Sequence, residues 1–417
     1  MKYLFLYTLF LLAHFSFSQE LDWRKVNHPK RMEVESYVES DLSFIDLSVN
    51  NFKFHTERSP NFEIFFKRMA AIKAGEYDKL NIYHIGGSHI QADAYSNVVR
   101  EGLQTYSNQP GERGYVFPYN LAGTNNPSNY RITSANKFEG KRIVGSSGKD
   151  YDLGMFGAAI VSKGDSTIEM EFKYRTAKQK PCFNEVAFFR NKGEWNYEMN
   201  FGADEILIEK VAHVDSLGWT KVTFCDALDS LDVQFRERVN NSLFEFYGMG
   251  LLNTEDPGIS YTSIGINGAG LYSYLSAPNF QEQLTMYPPD MFVFSVGTND
   301  ANVPYDKFRP EVYKDNLEKI MKMVLKANPN CALLLTVPND AYYRKKNLNR
   351  NIAREREVII ELAQQYQMAV WDFYGVMGEL GSSKTWLNNG LMQSDLVHFS
   401  SKGYQLKGQL LLDAFLK

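Results

Sequence analysis

The sequence predicts a doubly wound, three-layer α/β/α sandwich with a parallel sheet, interrupted by an all-β domain. Three observations lead there. Short apolar runs at 80–86, 259–266, 290–296, 331–337 and 368–373 have the character of strands buried on both faces. Amphipathic stretches near 95–106, 309–327, 351–367 and 402–416 alternate with them. The segment between Tyr106 and Ile259 is far too long for a strand-to-helix connection, and it alternates apolar and polar residues at period two.

Residues 1–18 read as an export signal rather than as part of the fold. Lys2 gives a positive start, 3–15 is almost wholly apolar, and Ser16 and Ser18 are small residues spaced for cleavage before Gln19. The run falls short of the roughly 20 residues of a spanning helix, and no Cys follows the cleavage point to take a lipid. We expect an exported protein, periplasmic or extracellular, with no transmembrane anchor. Residues 19–58 show no persuasive period and form an N-terminal extension. At Ser59-Pro60 a helix begins, with Ser at the N-cap and Pro in the first turn. Its apolar stripe is Phe62, Phe65, Phe66, Met69 and Ile72. The α/β domain is expected to comprise 59–120 and 259–417, and the insert 121–258.

Within the insert, Ile168, Met170, Phe172 and Tyr174 share one face of a strand while Thr167, Glu169, Glu171 and Lys173 share the other. Leu231, Val233 and Phe235 repeat the pattern. Further strands are expected near 156–162, 185–190, 205–211, 219–225 and 242–248, which together predict an antiparallel β-sandwich. Its aromatics Phe188, Phe189, Trp195, Tyr197, Trp219 and Tyr247 are read first as core, although such rings also stack on sugars.

The formal net charge is −4, or −5 once Lys2 is removed, which gives no electrostatic reason to bind nucleic acid or an anionic membrane. A 44% apolar composition is enough for real cores. Of the three cysteines, Cys331 reads as a small buried residue, and Cys182 and Cys225 are left as a possible pair. No Cys/His spacing resembles a zinc site, so neither metal nor other cofactor is expected. His84 and His89 flank one turn, without a third ligand to make a metal centre.

Three places can carry chemistry, all at carboxyl ends of predicted strands, the edge where open α/β sheets bind ligands. Gly86-Gly87-Ser88-His89 can present a hydroxyl from a tight strand-to-helix turn, or be an ordinary loop. Gly297-Thr298-Asn299-Asp300 offers a side-chain amide, which can serve an oxyanion or shape a turn; Gly268, within Gly265-Ile-Asn-Gly-Ala-Gly270, adds backbone donors. In Asp395-Leu-Val-His398, a carboxylate three residues before an imidazole can orient it, leaving the other ring nitrogen to take a proton. Ser400 can equally cap the last helix. Asp93 is expected to cap the helix after the Ser88 turn.

In this order, Ser88 after glycines, Gly268, Gly-Thr-Asn-Asp at 297–300 and Asp395-x-x-His398, followed by Gly403-Tyr404, resemble the blocks of the SGNH/GDSL hydrolases. The resemblance covers about 80–120 and 259–417. It implies a flavodoxin-like fold and a serine esterase, with Ser88 as nucleophile, His398 as base and Asp395 as its orienter. By the same resemblance the Ser88 N–H, the Gly268 N–H and the Asn299 amide form the oxyanion hole. One position departs: the family usually has Asp before the nucleophile, and here it is Gly87, which puts the rigidity of the turn in question. The β insert between the first and second blocks is similar in plan to exported peptidoglycan O-acetylesterases. The expected function is removal of O-acetyl or similar short acyl groups from a polysaccharide, peptidoglycan or another glycan. Alternatives are a lipase or lysophospholipase, a polysaccharide O-acyltransferase, and a non-catalytic glycan-binding protein on the same scaffold.

Overall fold

The computed structural model describes residues 42–76, 78–175, 180–202 and 207–417. The expected signal segment and most of the N-terminal extension lie outside these residues. The central sheet has six strands, in the order Phe52–Phe54, Ala369–Trp371, Ala332–Thr336, Met291–Ser295, Lys79–Gly86 and Gly258–Gly265. The last five are mutually parallel and correspond to the five expected runs. Phe52–Phe54 adds an antiparallel edge strand from the extension. In chain order the parallel strands run 2-1-3-4-5, so the order reverses beside Lys79–Gly86, the topological switch point of the sheet.

Both faces of these strands are buried, as their unbroken apolar composition requires. On Lys79–Gly86, Leu80 and Ile82 enter one core while Tyr83 and Ile85 enter the other; on the neighbour, Val293 opposes Phe292 and Phe294 in the same way. Helices Pro60–Lys73, Ala94–Ser107 and Ser401–Leu416 cover the first face, and Pro310–Ala327 and Asn351–Tyr366 the second. The Pro60–Lys73 helix buries all five residues of its apolar stripe. Ser59 stands at its N-cap without a capping bond, its hydroxyl donating instead to the Gln367 carbonyl.

Two antiparallel sheets form the inserted β domain. The larger runs Ile208–Val214, Trp219–Leu228, Phe183–Arg190, Leu243–Leu252, Ala158–Lys163 and Glu139–Arg142, with Gly114–Val116 pairing beside Leu243–Leu252. The smaller runs Tyr130–Thr133, Thr167–Tyr174, Ser230–Glu237 and Tyr197–Phe201. Ile168, Met170, Phe172, Leu231, Val233 and Phe235 face inward, and Phe188 meets Phe235 across the gap at 5.6 Å between ring centroids. Phe188, Phe189, Trp195, Tyr197 and Tyr247 are all core, and Trp219 is half-buried against Tyr287. Cys182 and Cys225 are exposed free thiols. The register explains this: Phe183 pairs with Leu228, which carries Cys182 past the end of the strand bearing Cys225.

Asp93 corrects the sequence reading. It precedes the Ala94–Ser107 helix but makes no capping bond there. Its fully buried carboxylate instead takes Arg100 at 2.8 Å and Arg113 at 2.7 Å. Ser96, Ser263 and Asn129 also donate to it. Those partners come from the helix, the Gly258–Gly265 strand and two places on the path into the insert, so one carboxylate ties both domains together. Burial pushes the carboxyl up, but the two guanidinium charges outweigh it and hold the group below the usual carboxylate range. Its contribution is therefore complete above the ordinary carboxylate pKa of about 4 and is lost as pH falls further. Asp93→Ala leaves two buried cations unpaired and is expected to cost about 3–5 kcal/mol. Denaturant unfolding at neutral pH checks this, and an unchanged midpoint would show that the two arginines find other partners.

Candidate active site

The Lys79–Gly86 strand ends in a turn with no room for side chains. A Cβ on Gly86 would lie 2.4 Å from the Ile90 side chain and 2.8 Å from the Ser295 carbonyl oxygen. Ser88 then opens a short helix, Ser88–Gln91, whose Ile90 and Gln91 N–H groups return to the Gly87 carbonyl. From below, the Tyr274 hydroxyl donates to the Gly86 carbonyl at 2.6 Å. These contacts fix the turn without a carboxylate at position 87. A Cβ on Gly87 would come within 2.8 Å of the Asn299 side-chain nitrogen, so the missing side chain is what lets that amide lie against the turn.

Ser88 Oγ is 2.8 Å from His398 Nε2, and His398 Nδ1 is 2.7 Å from Asp395 Oδ2. The Asp395 loop turns tightly through Leu396, at φ +57°. There the Val397 and His398 N–H groups both donate to Asp395 Oδ1 at 3.0 Å. Burial pushes the Asp395 carboxyl up, but the bond to the His398 ring and the two backbone donors prevail and keep it below the usual range. A carboxylate so held remains an acceptor, which fixes the imidazole with its proton on Nδ1 and a lone pair toward the hydroxyl. The Ser400 hydroxyl accepts from the Gly403 N–H and caps the last helix.

The other two expected blocks gather at the same edge. Asn299 Nδ2 donates to the Ala269 carbonyl at 2.9 Å, and Gly268 turns at φ +83°. Asp300 was not singled out by sequence reasoning, yet it accepts the Leu271 N–H at 3.1 Å and so clamps the Gly268 loop to the Asn299 block. Burial pushes its carboxyl up to about 6. Gln91, also missed, accepts the Asn267 N–H at 2.7 Å from the opposite side. The insert reaches this loop as well: Val144 Cγ1 lies 3.3 Å from where a Gly268 Cβ would stand. No local sequence pattern could have located Val144, because its role depends on how two domains meet.

His84 and His89 both face hydroxyl groups. His84 bonds Tyr261 and Ser295, each at 2.7 Å, and burial pushes it down to about 3. His89 bonds the Tyr404 hydroxyl at 2.8 Å, and its ring lies 5.1 Å from that of His398. No group of three or more metal-ligating side chains occurs among the described residues. Behind both histidines lies a residue the sequence did not flag. Lys407 is buried on the last helix, its ammonium 4.4 Å from the Phe373 ring, 4.7 Å from Tyr95 and 5.2 Å from Phe399.

Residues 244–406 match the model of the GDSL-like lipase/acylhydrolase family. A solved peptidoglycan O-acetylesterase superposes with a TM-score of 0.70 at 19% identity, covering 89% of this chain and 97% of that one. The α/β domain has the fold of the SGNH/GDSL hydrolases. The matched span holds Gly268, Asn299, Asp395 and His398, while the insert separates it from Ser88. A lipase/acylhydrolase from Enterococcus faecalis is 20% identical over 38% of this chain and 76% of its own, with a TM-score of 0.30. An acetylxylan esterase from Geobacillus stearothermophilus is 18% identical over 37% and 72%, also at 0.30. No curated protein matches by sequence. The family match and this fold support a carboxylic ester hydrolase, and the likeness to the O-acetylesterase extends through the inserted β domain.

Burial pushes the Lys407 ammonium down to about 7 from an ordinary value of 10.5. A base depressed in the folded state binds fewer protons there than when unfolded, so stability rises with pH between these two values. Below about 7 the burial cost is present in full, offset in part by the three ring faces. Lys407→Met removes this linkage. The variant is expected to gain more in urea midpoint, relative to the parent, at pH 6 than at pH 9; an equal change at both would mean that Lys407 titrates as if exposed.

Proposed function

We propose that this chain is an exported serine esterase that removes O-acetyl or similarly short acyl groups from a polysaccharide. The observation that carries the reading is the unbroken relay from Ser88 through His398 to Asp395, assembled across 310 residues of sequence. Ser88 Oγ attacks the ester carbonyl carbon while His398 Nε2 takes its proton, and Asp395 stabilises the imidazolium that forms. The Ser88 and Gly268 N–H groups and the Asn299 amide receive the tetrahedral oxyanion. Collapse of the intermediate expels the sugar oxygen, which takes the proton from His398 and leaves an acyl ester on Ser88. Water activated by the same imidazole then releases the acid and restores the serine. No metal or other cofactor enters this scheme.

Three features support a short acyl group on a glycan. Val144 closes on the Gly268 turn from the insert, where a long acyl chain would need open space. The fold likeness to a peptidoglycan O-acetylesterase spans both domains. Residues 1–18 have the composition of an export signal, which would place the enzyme where such polymers lie. Peptidoglycan or another acetylated glycan is the proposed partner. A lipase shares the relay but needs a broad apolar acyl site, and a polysaccharide O-acyltransferase shares the acyl-enzyme but passes it to a sugar hydroxyl.

Acetate release from acetylated peptidoglycan and xylan, run beside nitrophenyl esters of two to eight carbons, tests the reading. Ser88→Ala is expected to abolish turnover, and Asn299→Ala to lower it by roughly 10²–10³. Asp395→Asn is expected to lower it by up to about 10⁴, through the wrong imidazole tautomer. Full activity in Ser88→Ala would refute the acyl-enzyme. The same panel measures acyl selectivity: the parent should prefer acetate, and Val144→Ala should shift the preference toward four to six carbons by about tenfold in kcat/KM. An unaltered preference would remove Val144 from the acyl site.

A further inference from the structure

Nearly every aromatic side chain among the described residues is buried or half-buried. Among the described residues only two are exposed, Tyr272 at 73% and Tyr305 at 60%. Their positions are not scattered. Tyr272 follows Gly268 by four residues and Tyr305 follows Asn299 by six, so each stands on a segment leaving the sheet edge beside a proposed oxyanion donor. The aromatics of the insert, the first place to look for a sugar-stacking surface, are buried or half-buried instead.

The two tyrosines differ in what already occupies them. The Arg354 guanidinium lies over the Tyr305 ring at 4.9 Å and donates to the Tyr305 carbonyl. The Tyr272 carbonyl accepts from the Ser276 N–H and hydroxyl, but its side chain has no hydrogen bond, ring contact or cation against it among the described residues. Its surroundings are nevertheless firmly held. It lies on the first turn of the helix Leu271–Leu275, whose Leu271 and Tyr274 are fully buried. Leu271 N–H is bound by Asp300, and the Tyr274 hydroxyl is bound to Gly86, two residues before Ser88. The helix is thus fastened to both the nucleophile turn and the Asn299 block, and from this anchored base it offers one bare ring to solvent.

We propose that Tyr272 is a stacking platform for a pyranose ring of the substrate, one sugar or more from the acylated residue. One face of a pyranose is a patch of C–H bonds, which suits the electron-rich face of a phenol ring. Four residues of chain reach at most about 14 Å, so the ring lies within the span of a short oligosaccharide whose ester carbonyl is at Gly268. The site takes a polymer by its sugars and an ester by its carbonyl, and Tyr272 belongs to the first task. This inference rests on the glycan reading above.

The test compares kcat and KM for acetate release from acetylated peptidoglycan and acetylated xylan with those for nitrophenyl acetate, in the parent, Tyr272→Ala and Tyr272→Trp. The expected result is a rise in polymer KM of about tenfold for Tyr272→Ala, beyond any change with nitrophenyl acetate, and recovery in Tyr272→Trp. Turnover of the small ester reports that the variants are folded. Equal effects of Tyr272→Ala on both substrate types, or no effect on the polymer, would overturn the platform while leaving the glycan reading intact. A parent enzyme that turns over nitrophenyl acetate but releases nothing from either polymer would overturn the glycan reading, and the platform with it.

Discussion

The Asp93 carboxylate is the point on which the two domains and the Ser88 turn depend. It sits two residues beyond the short Ser88–Gln91 helix, at φ +48°, a conformation that costs energy for any residue with a side chain. The cost is offset because the chain direction it produces lets one carboxylate face Arg100, Arg113, Ser96, Ser263 and Asn129 together. Arg100 in turn bonds the Tyr261 carbonyl and the Ser263 hydroxyl, securing the Gly258–Gly265 strand on which Gly268 follows. A buried charge is tolerated only when its partners are complete. Displacing any one of these segments would leave Asp93 short of a partner, so the turn, the strand and the insert are held in a common register.

The site rests on a second set of contacts built on the same economy of groups. Asp300, Gln91 and Tyr274 each hold, by a hydrogen bond, a backbone segment carrying or adjoining a proposed reacting residue. Gly87 belongs with them by what it lacks. The amide of Asn299 occupies the space that a side chain there would fill. The departure from the family's usual Asp is thus matched by a turn braced from beneath rather than from within.

Much of this was legible in the sequence, and for identifiable reasons. The five parallel strands were readable because burial on both faces demands unbroken apolar runs, and the long inward-facing strands of the insert because one-sided burial demands alternation. Ser88, Gly268 and Asn299 could be picked out because each follows a strand end in a short local pattern, and Asp395 and His398 by their spacing in the loop just before the last helix. The short strands Gly114–Val116, Tyr130–Thr133, Glu139–Arg142 and Tyr197–Phe201 carried too few residues to show a period. Asp93 was misread because a carboxylate before a helix looks like a cap whatever it binds. Lys407, Val144 and Tyr272 left no local trace: one is a cation among apolar neighbours, one a surface-like Val in a loop, and one a Tyr whose exposure depends on the fold around it.

The great sequence distance between Ser88 and His398 has a consequence for when activity begins. Ser88, the proposed nucleophile, follows the first parallel strand, and His398, its proposed base, lies just before the last helix, with the whole β domain between them. Contacts of such long range close late in folding, because the loop entropy must be met before they contribute. Until the C-terminal helix docks and draws the Asp395 loop over the sheet edge, Ser88 lacks its hydrogen bond to His398. Under the proposed mechanism an emerging chain therefore carries no esterase activity, and the reaction switches on only once the Asp395 loop reaches Ser88.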